Sequence, residues 1–216
     1  MSLIFKRLKM NRQLNFICCF VLFYNLSYAQ LKLSGTSFVA IKNLSKDFVF
    51  DLKYATENNF TKQKIYDCAE CYIRHEVALA LIKANTDFMK KGYRIKFFDC
   101  YRPFDVQKKM WSIYPHSKYV ANPNKGGSMH NKGGAIDITL VDMNENELDM
   151  GTAFDHFGIE AHHSFINFSE KILGNRKLLK SVMENNGFKS LATEWWHYDF
   201  ISAKKYPNSN FPVKCN

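Results

Sequence analysis

Two histidines and two carboxylates stand out for the chemistry they could do together. Glu194-Trp195-Trp196-His197 ends a strand-like run, and upstream lies the segment Ser128-Met129-His130-Asn131-Lys132-Gly133-Gly134-Ala135-Ile136-Asp137. His130, Asp137 and His197 offer the two nitrogens and one oxygen of a zinc site that keeps one position open for water. A spare carboxylate beside that water, here Glu194, supplies the general base that amide hydrolysis needs. It takes a proton from the water and passes it to the leaving amine. Taken singly, each of these residues is more often a surface or hydrogen-bonded group than a ligand; the signal is in the combination.

Arg102 is a further candidate, in Asp99-Cys100-Tyr101-Arg102-Pro103. An arginine at the end of a strand can stabilise the oxyanion of a tetrahedral intermediate. It can also simply pair with Asp99, and spacing alone favours the ion pair. Glu194 and His197 pose a geometric demand. Three residues apart on a regular strand they face opposite sides, so the strand must begin, twist or bulge between them if both serve one centre.

The elements that must position these residues follow from periodicity. Phe48 to Tyr54 reads as a short extended segment. Val77, Leu81, Ala84 and Phe88 recur at helical spacing and predict a helix over 75–91, stopped by Gly92. Tyr93 to Phe98 alternates as a strand, and Phe104 to Tyr114 follows Pro103 as a helix. Pro115 to Ser128 is a long polar loop, of the length that often carries function. In Ala135 to Val141, Ile136, Ile138 and Leu140 take one face and Asp137 and Thr139 the other, with a turn over Asp142 to Glu147. Ser169 caps a helix that runs to Asn186, with Ile172, Leu173, Leu179, Val182 and Met183 as its buried stripe and Gly187 as its stop, and Phe188 to Phe200 returns as a strand. Gly133 and Gly134 allow the tight turn that brings a loop-borne His130 and a strand-borne Asp137 to one point. Helices and strands mix without a βαβ rhythm. The expected class is α+β, with helices packed on a small, largely antiparallel sheet.

Composition sets the context. The 216 residues, 46% hydrophobic and 15% aromatic, suffice for one domain with a proper core and exclude a disordered chain. Lys6, Arg7, Lys9 and Arg12 precede an apolar run from Leu14 to Leu26 and the small residues of Ser27-Tyr28-Ala29. This pattern reads as a secretory signal peptide over residues 1–29, ahead of one domain over 30–216. The apolar run is too short to span a bilayer comfortably, so no stable membrane insertion is expected after cleavage. Cleavage removes four basic and no acidic side chains and takes the net charge from +10 to +6. The remaining charge forms no block, and no aromatic-and-basic platform for nucleic acid is present. Cys68, Cys71, Cys100 and Cys215 remain. In an exported chain they favour disulfides, with three pairings open, over half of a structural zinc site at Cys68-Ala69-Glu70-Cys71.

Tyr54-Ala55-Thr56 with Asn59-Phe60, Tyr101-Arg102-Pro103, Ser128 to Asp137, Gly151 with Phe154-Asp155, His162-His163, and Glu194 to His197 form a longer ordered set. In that order and spacing the chain resembles the D-alanyl-D-alanine dipeptidases, the VanX-type branch of the zinc D,D-peptidases, over roughly residues 45–200. The resemblance implies the zinc D,D-peptidase, or hedgehog-like, fold and one Zn2+ per chain on His130, Asp137 and His197. It implies Glu194 as general base and acid and Arg102 as the residue that stabilises the transition state. It also implies that Tyr54, Ser128 and Asp155 hold the ends of a D-Ala-D-Ala substrate. The export leader, the cysteines and the region between Arg102 and Ser128 depart from that pattern. The expected setting is therefore the periplasm or cell envelope, with turnover or scavenging of wall-derived dipeptides. Two other readings stay open: a zinc D,D-carboxypeptidase or endopeptidase on peptidoglycan, and a catalytically idle wall-binding module.

Overall fold

The computed structural model describes residues 34–215; the leader expected at residues 1–29 lies outside the described residues. Among the described residues, three helices and seven strands follow one another as β1 (Phe38–Ala40), β2 (Val49–Phe50), β3 (Tyr72–Arg74), α1 (His75–Met89), β4 (Tyr93–Asp99), α2 (Phe104–Ile113), β5 (Ala135–Asp142), α3 (Glu170–Asn185), β6 (Phe188–Leu191) and β7 (Glu194–Phe200). A five-stranded sheet has the order β2-β4-β5-β7-β6, and β1 pairs with β3 in a separate ribbon. Among the described residues only the β2–β4 pairing is parallel, so the expected α+β class with a largely antiparallel sheet is what they adopt.

One face of the large sheet carries the core. Ile95 and Phe97 of β4 and Ile136, Ile138 and Leu140 of β5 meet Val77, Leu81, Ala84 and Phe88 of α1 and Leu179, Val182 and Met183 of α3. The periodic apolar stripes read from the sequence are these same faces. Burying each large aliphatic side chain contributes about 1.5–3 kcal/mol. The face of β5 that Asp137 shares is left for chemistry.

Two segments differ from the sequence reading. The extended run expected from Phe48 to Tyr54 is strand only at Val49–Phe50, and Lys53–Ala55 winds into a 3-10 turn that presents Tyr54. The strand expected over 188–200 is a hairpin, β6 and β7, turning at Ala192 and Thr193. Its register runs from Phe188↔Phe200 to Ser190↔Tyr198 and then jumps to Leu191↔Glu194. The strand thus begins at Glu194 and bulges before His197, which meets the geometric demand those two residues pose.

The cysteines resolve into two disulfides, Cys68–Cys215 and Cys71–Cys100, and the zinc alternative for these thiols falls away. Cys71–Cys100 joins the start of β3 to the residue after β4 and closes a loop of 29 residues. Replacing both cysteines by alanine is expected to lower the unfolding free energy by about 2–4 kcal/mol, read as a shifted denaturant midpoint. An unchanged midpoint would show that the bridge constrains nothing.

Candidate metal centre and active site

The site grows from sheet register. Asp99 on β4 stands opposite Asp137 on β5, and Asp137 stands opposite His197 on β7. Three neighbouring strands therefore carry these side chains in one row. Asp99 joins it through an irregularity between Phe97 and Asp99. Without that bulge Asp99 would share the core-facing side with Phe97.

His130 arrives from the other direction, on the short turn Met129–Lys132. Ser128 caps the turn: its hydroxyl oxygen accepts the His130 amide at 3.2 Å, and its own amide donates to Asn131 Oδ1 at 2.7 Å. Gly133 then takes φ +70°, and a Cβ on Gly134 would lie 2.4 Å from the Ala203 side chain. Glycine is required at both positions, one for its backbone angle and one for close approach.

Outer hydrogen bonds decide which ring nitrogens face inward. His130 Nδ1 lies 2.7 Å from the Cys100 carbonyl, which only accepts. Nδ1 therefore carries the proton, and Nε2 presents its lone pair. His197 Nε2 lies 2.9 Å from Asp199 Oδ1, which leaves Nδ1 as the free lone pair. These two nitrogens are 3.2 Å apart, and they lie 3.4 Å and 2.9 Å from Asp137 Oδ1. Three electron-pair donors thus converge in a buried place, with ligand atoms within 4.8 Å of one another. Nitrogen and oxygen donors of this kind suit zinc and its neighbours, so the residues present fit a divalent metal. Burial opposes charge on His197, but the Asp137 and Asp199 carboxylates outweigh it and raise its pKa well above the ordinary value, so without a metal Nδ1 holds a proton toward Asp137, and a metal bound there would displace that proton to gain the lone pair.

Around this centre lies a cavity of about 320 Å³, lined among others by Tyr54, Arg102, Ser128, Asp155, Glu194 and Trp196. The sequence-predicted metal ligands, base, arginine and substrate-binding residues, from Tyr54 to His197, all line it. Burial, and then the nearby Asp137 charge, raise the Glu194 pKa. Arg102 makes the ion pair that spacing favoured, with Nη2 donating to Asp99 Oδ2 at 2.6 Å. Its Nη1 donates to Gln107 Oε1 at 2.9 Å and its Nε to the Tyr66 hydroxyl at 3.3 Å. The guanidinium is nevertheless on the cavity wall, so pairing and pocket-facing are not exclusive. Tyr54 donates to both oxygens of Asp155 at 3.1 Å. Asp155 is held at φ +60°, uncommon for a residue other than glycine. Burial and the Asp137 charge push its pKa well up, against the Tyr54 hydrogen bond. Both tryptophans are buried; Trp195 donates to Thr152 Oγ1 at 2.7 Å, and Trp196 packs edge-on to Phe154. Of the His162-His163 pair, His162 lines a small side pocket with Glu194. His163 is held neutral, its pKa lowered to about 4 by burial and then by Lys180 and Arg176.

Sequence reasoning missed Asp199, Tyr66, Gln107 and the Cys100 carbonyl. Asp199 had a signal: two residues beyond His197 on one strand, it shares that residue's face. The other three come together only through tertiary packing.

Two imidazoles and a carboxylate in a cavity, with a glutamate on the wall, define a metal-dependent hydrolase in outline. Residues 34–215 match the family model of Peptidase M15, described as D-ala-D-ala dipeptidase. The chain belongs to this metallopeptidase family. It is 34% identical over 172 residues to a D-alanyl-D-alanine dipeptidase of Escherichia coli (strain K12), covering 80% of this chain and 89% of that one. To a D-alanyl-D-alanine dipeptidase of Enterococcus faecium it is 35% identical over 187 residues, covering 76% and 92%. Among solved structures, VanYB in complex with D-alanine-D-alanine is a distant likeness: TM-score 0.40, 15% identity, 62% of this chain and 76% of that chain.

Asp199 orients a candidate ligand without being one. Asp199→Ala is expected to weaken zinc binding about 10–100-fold, measured by competition with a chelator, with the circular dichroism spectrum unchanged. Undiminished affinity would mean that Asp199 does not set the His197 tautomer.

Proposed function

We propose that this protein is a zinc-dependent dipeptidase that hydrolyses D-alanyl-D-alanine to two D-alanines. The convergence of His130 Nε2, Asp137 Oδ1 and His197 Nδ1 in a pocket of dipeptide size, with Glu194 on its wall, carries this reading. The names of the two relatives supply the substrate and its stereochemistry.

Zinc held by His130, Asp137 and His197 would supply a Lewis acid for the scissile carbonyl and lower the pKa of a water. Glu194 takes the proton of the attacking water and delivers it to the leaving amine. A carboxylate on the cavity wall beside the candidate ligands is placed to accept that proton and then donate it. Arg102 has five N–H donors. Three are engaged by Asp99, Gln107 and Tyr66; the rest serve the oxyanion. Asp155 and Tyr54 receive the substrate ammonium. That cation stabilises the ionised form of a carboxyl whose ionisation burial disfavours. The Ser128 hydroxyl bonds the polar end across from them.

Two disulfides support an oxidising compartment and, with residues 1–29 read as a leader, an exported enzyme acting on wall-derived dipeptides. Among the described residues no helix is long and apolar enough to cross a membrane.

The test is D-alanine release by the zinc-loaded protein from D-Ala-D-Ala, with L-Ala-L-Ala and a wall pentapeptide alongside. Cleavage of the D,D-dipeptide alone is expected. Cleavage of the pentapeptide would make it a wall carboxypeptidase, and no cleavage with zinc bound would make it a binding module. Glu194→Gln is expected to lower kcat by about 10²–10⁴-fold while zinc stoichiometry stays the same. Turnover retained by Glu194→Gln would contradict Glu194 as the base.

A further inference from the structure

A free dipeptide is a zwitterion, and the groups placed so far give its ammonium a carboxylate but give its carboxylate no cation. The cavity wall is rich in acids: Asp137, Asp155, Glu194 and Asp199 all line it. Of its cations, Arg102 pairs with Asp99 at 2.6 Å, and its remaining donors are already given to the oxyanion. Lys118 also lines the cavity, and it borders the small side pocket beside Glu194 and Thr193. Among the described residues its ammonium makes no ion pair; Nζ lies 5.3 Å from the centroid of the neighbouring Tyr119 ring.

The backbone that carries Lys118 is fixed. Tyr119 stacks on Phe157 at 4.2 Å between ring centroids and donates its hydroxyl to the Phe157 carbonyl at 3.1 Å. The amides of Tyr119 and Val120 both donate to the His116 carbonyl at 3.0 Å. The Ala121 carbonyl accepts from Gln107 Nε2 at 2.7 Å, and the same Gln107 side chain accepts from Arg102. A loop anchored at Tyr119 and Ala121, and tied through Gln107 to Arg102, thus brings one cation without an ion pair to the wall of a pocket lined by four carboxylates.

We propose that Lys118 is a specificity-determining residue for this reaction: its ammonium pairs with the free carboxylate of the bound dipeptide. The inference rests on the dipeptidase reading of the pocket and deepens it. A charge-assisted contact on the wall of a cavity discriminates between a carboxylate and a neutral amide at the same position. It therefore rejects a peptide whose chain continues past the second residue, because that chain presents an amide there.

The experiment compares D-Ala-D-Ala with its C-terminal amide, for the zinc-loaded wild-type protein, Lys118→Gln and Lys118→Arg. Both Kd, by calorimetry, and steady-state kinetics are measured. The wild type is expected to favour the free acid by about tenfold or more. Lys118→Gln should bring the acid-to-amide ratio close to unity through Kd and KM rather than kcat, and Lys118→Arg should largely keep it. A Lys118→Gln variant that retains the wild-type ratio overturns the proposal. If the wild type binds the dipeptide without cutting it, the dipeptidase reading falls. The Kd ratio then decides Lys118 separately: its collapse in Lys118→Gln upholds the contact, and its persistence removes it.

Discussion

The whole site depends on one row of side chains across the sheet, Asp99 on β4, Asp137 on β5 and His197 on β7, set by backbone hydrogen-bond register. A slip of one residue in either pairing would turn its polar residue into the apolar core and an apolar one into the cavity. The register is held because the opposite face of β4 and β5 is packed by α1 and α3. Core packing and site geometry are thus two faces of the same strands, and the cost of misplacing a ligand is the cost of disrupting the core.

A second layer of contacts makes the row usable. Buried carboxylates and imidazoles are expensive unless each polar atom has a partner. Here the Cys100 carbonyl, Asp199, Gln107 and Tyr66 supply those partners. Cys100 serves twice through its backbone: its amide donates to Asp99 Oδ1 at 2.8 Å, and its carbonyl fixes His130. The Cys71–Cys100 disulfide pins that same residue. An oxidising compartment would therefore support the candidate metal centre as well as the fold.

Much of this was legible in the sequence because it rests on local pattern. The stripes of α1 and α3 and the alternation of β5 gave helices and strand with the right faces. The type and spacing of His130, Asp137, Glu194 and His197 pointed to one centre, and the glycines at 133 and 134 told how a loop could reach it. Bulges were not legible, because their cause is the competition between strand pairing and site geometry. The one before Asp99 went unseen, and the one after Glu194 was only one of three ways, beginning, twisting or bulging, by which the strand could serve both Glu194 and His197. The split of 188–200 into a hairpin was missed because Ala192 and Thr193 are not turn formers by composition. Disulfide pairing, Tyr66 beside Arg102 and Gln107 beneath the 115–128 loop depend on contacts distant in sequence, and no periodicity reports those.

The central claim is that His130, Asp137 and His197 together hold one metal ion, and crystals grown with zinc test it most directly. Anomalous diffraction at the zinc edge should give a single strong peak among His130 Nε2, the Asp137 carboxylate and His197 Nδ1, with Asp199 still bonded to His197 Nε2. A peak at another cluster, or one that His197 reaches through Nε2 instead, would contradict the account.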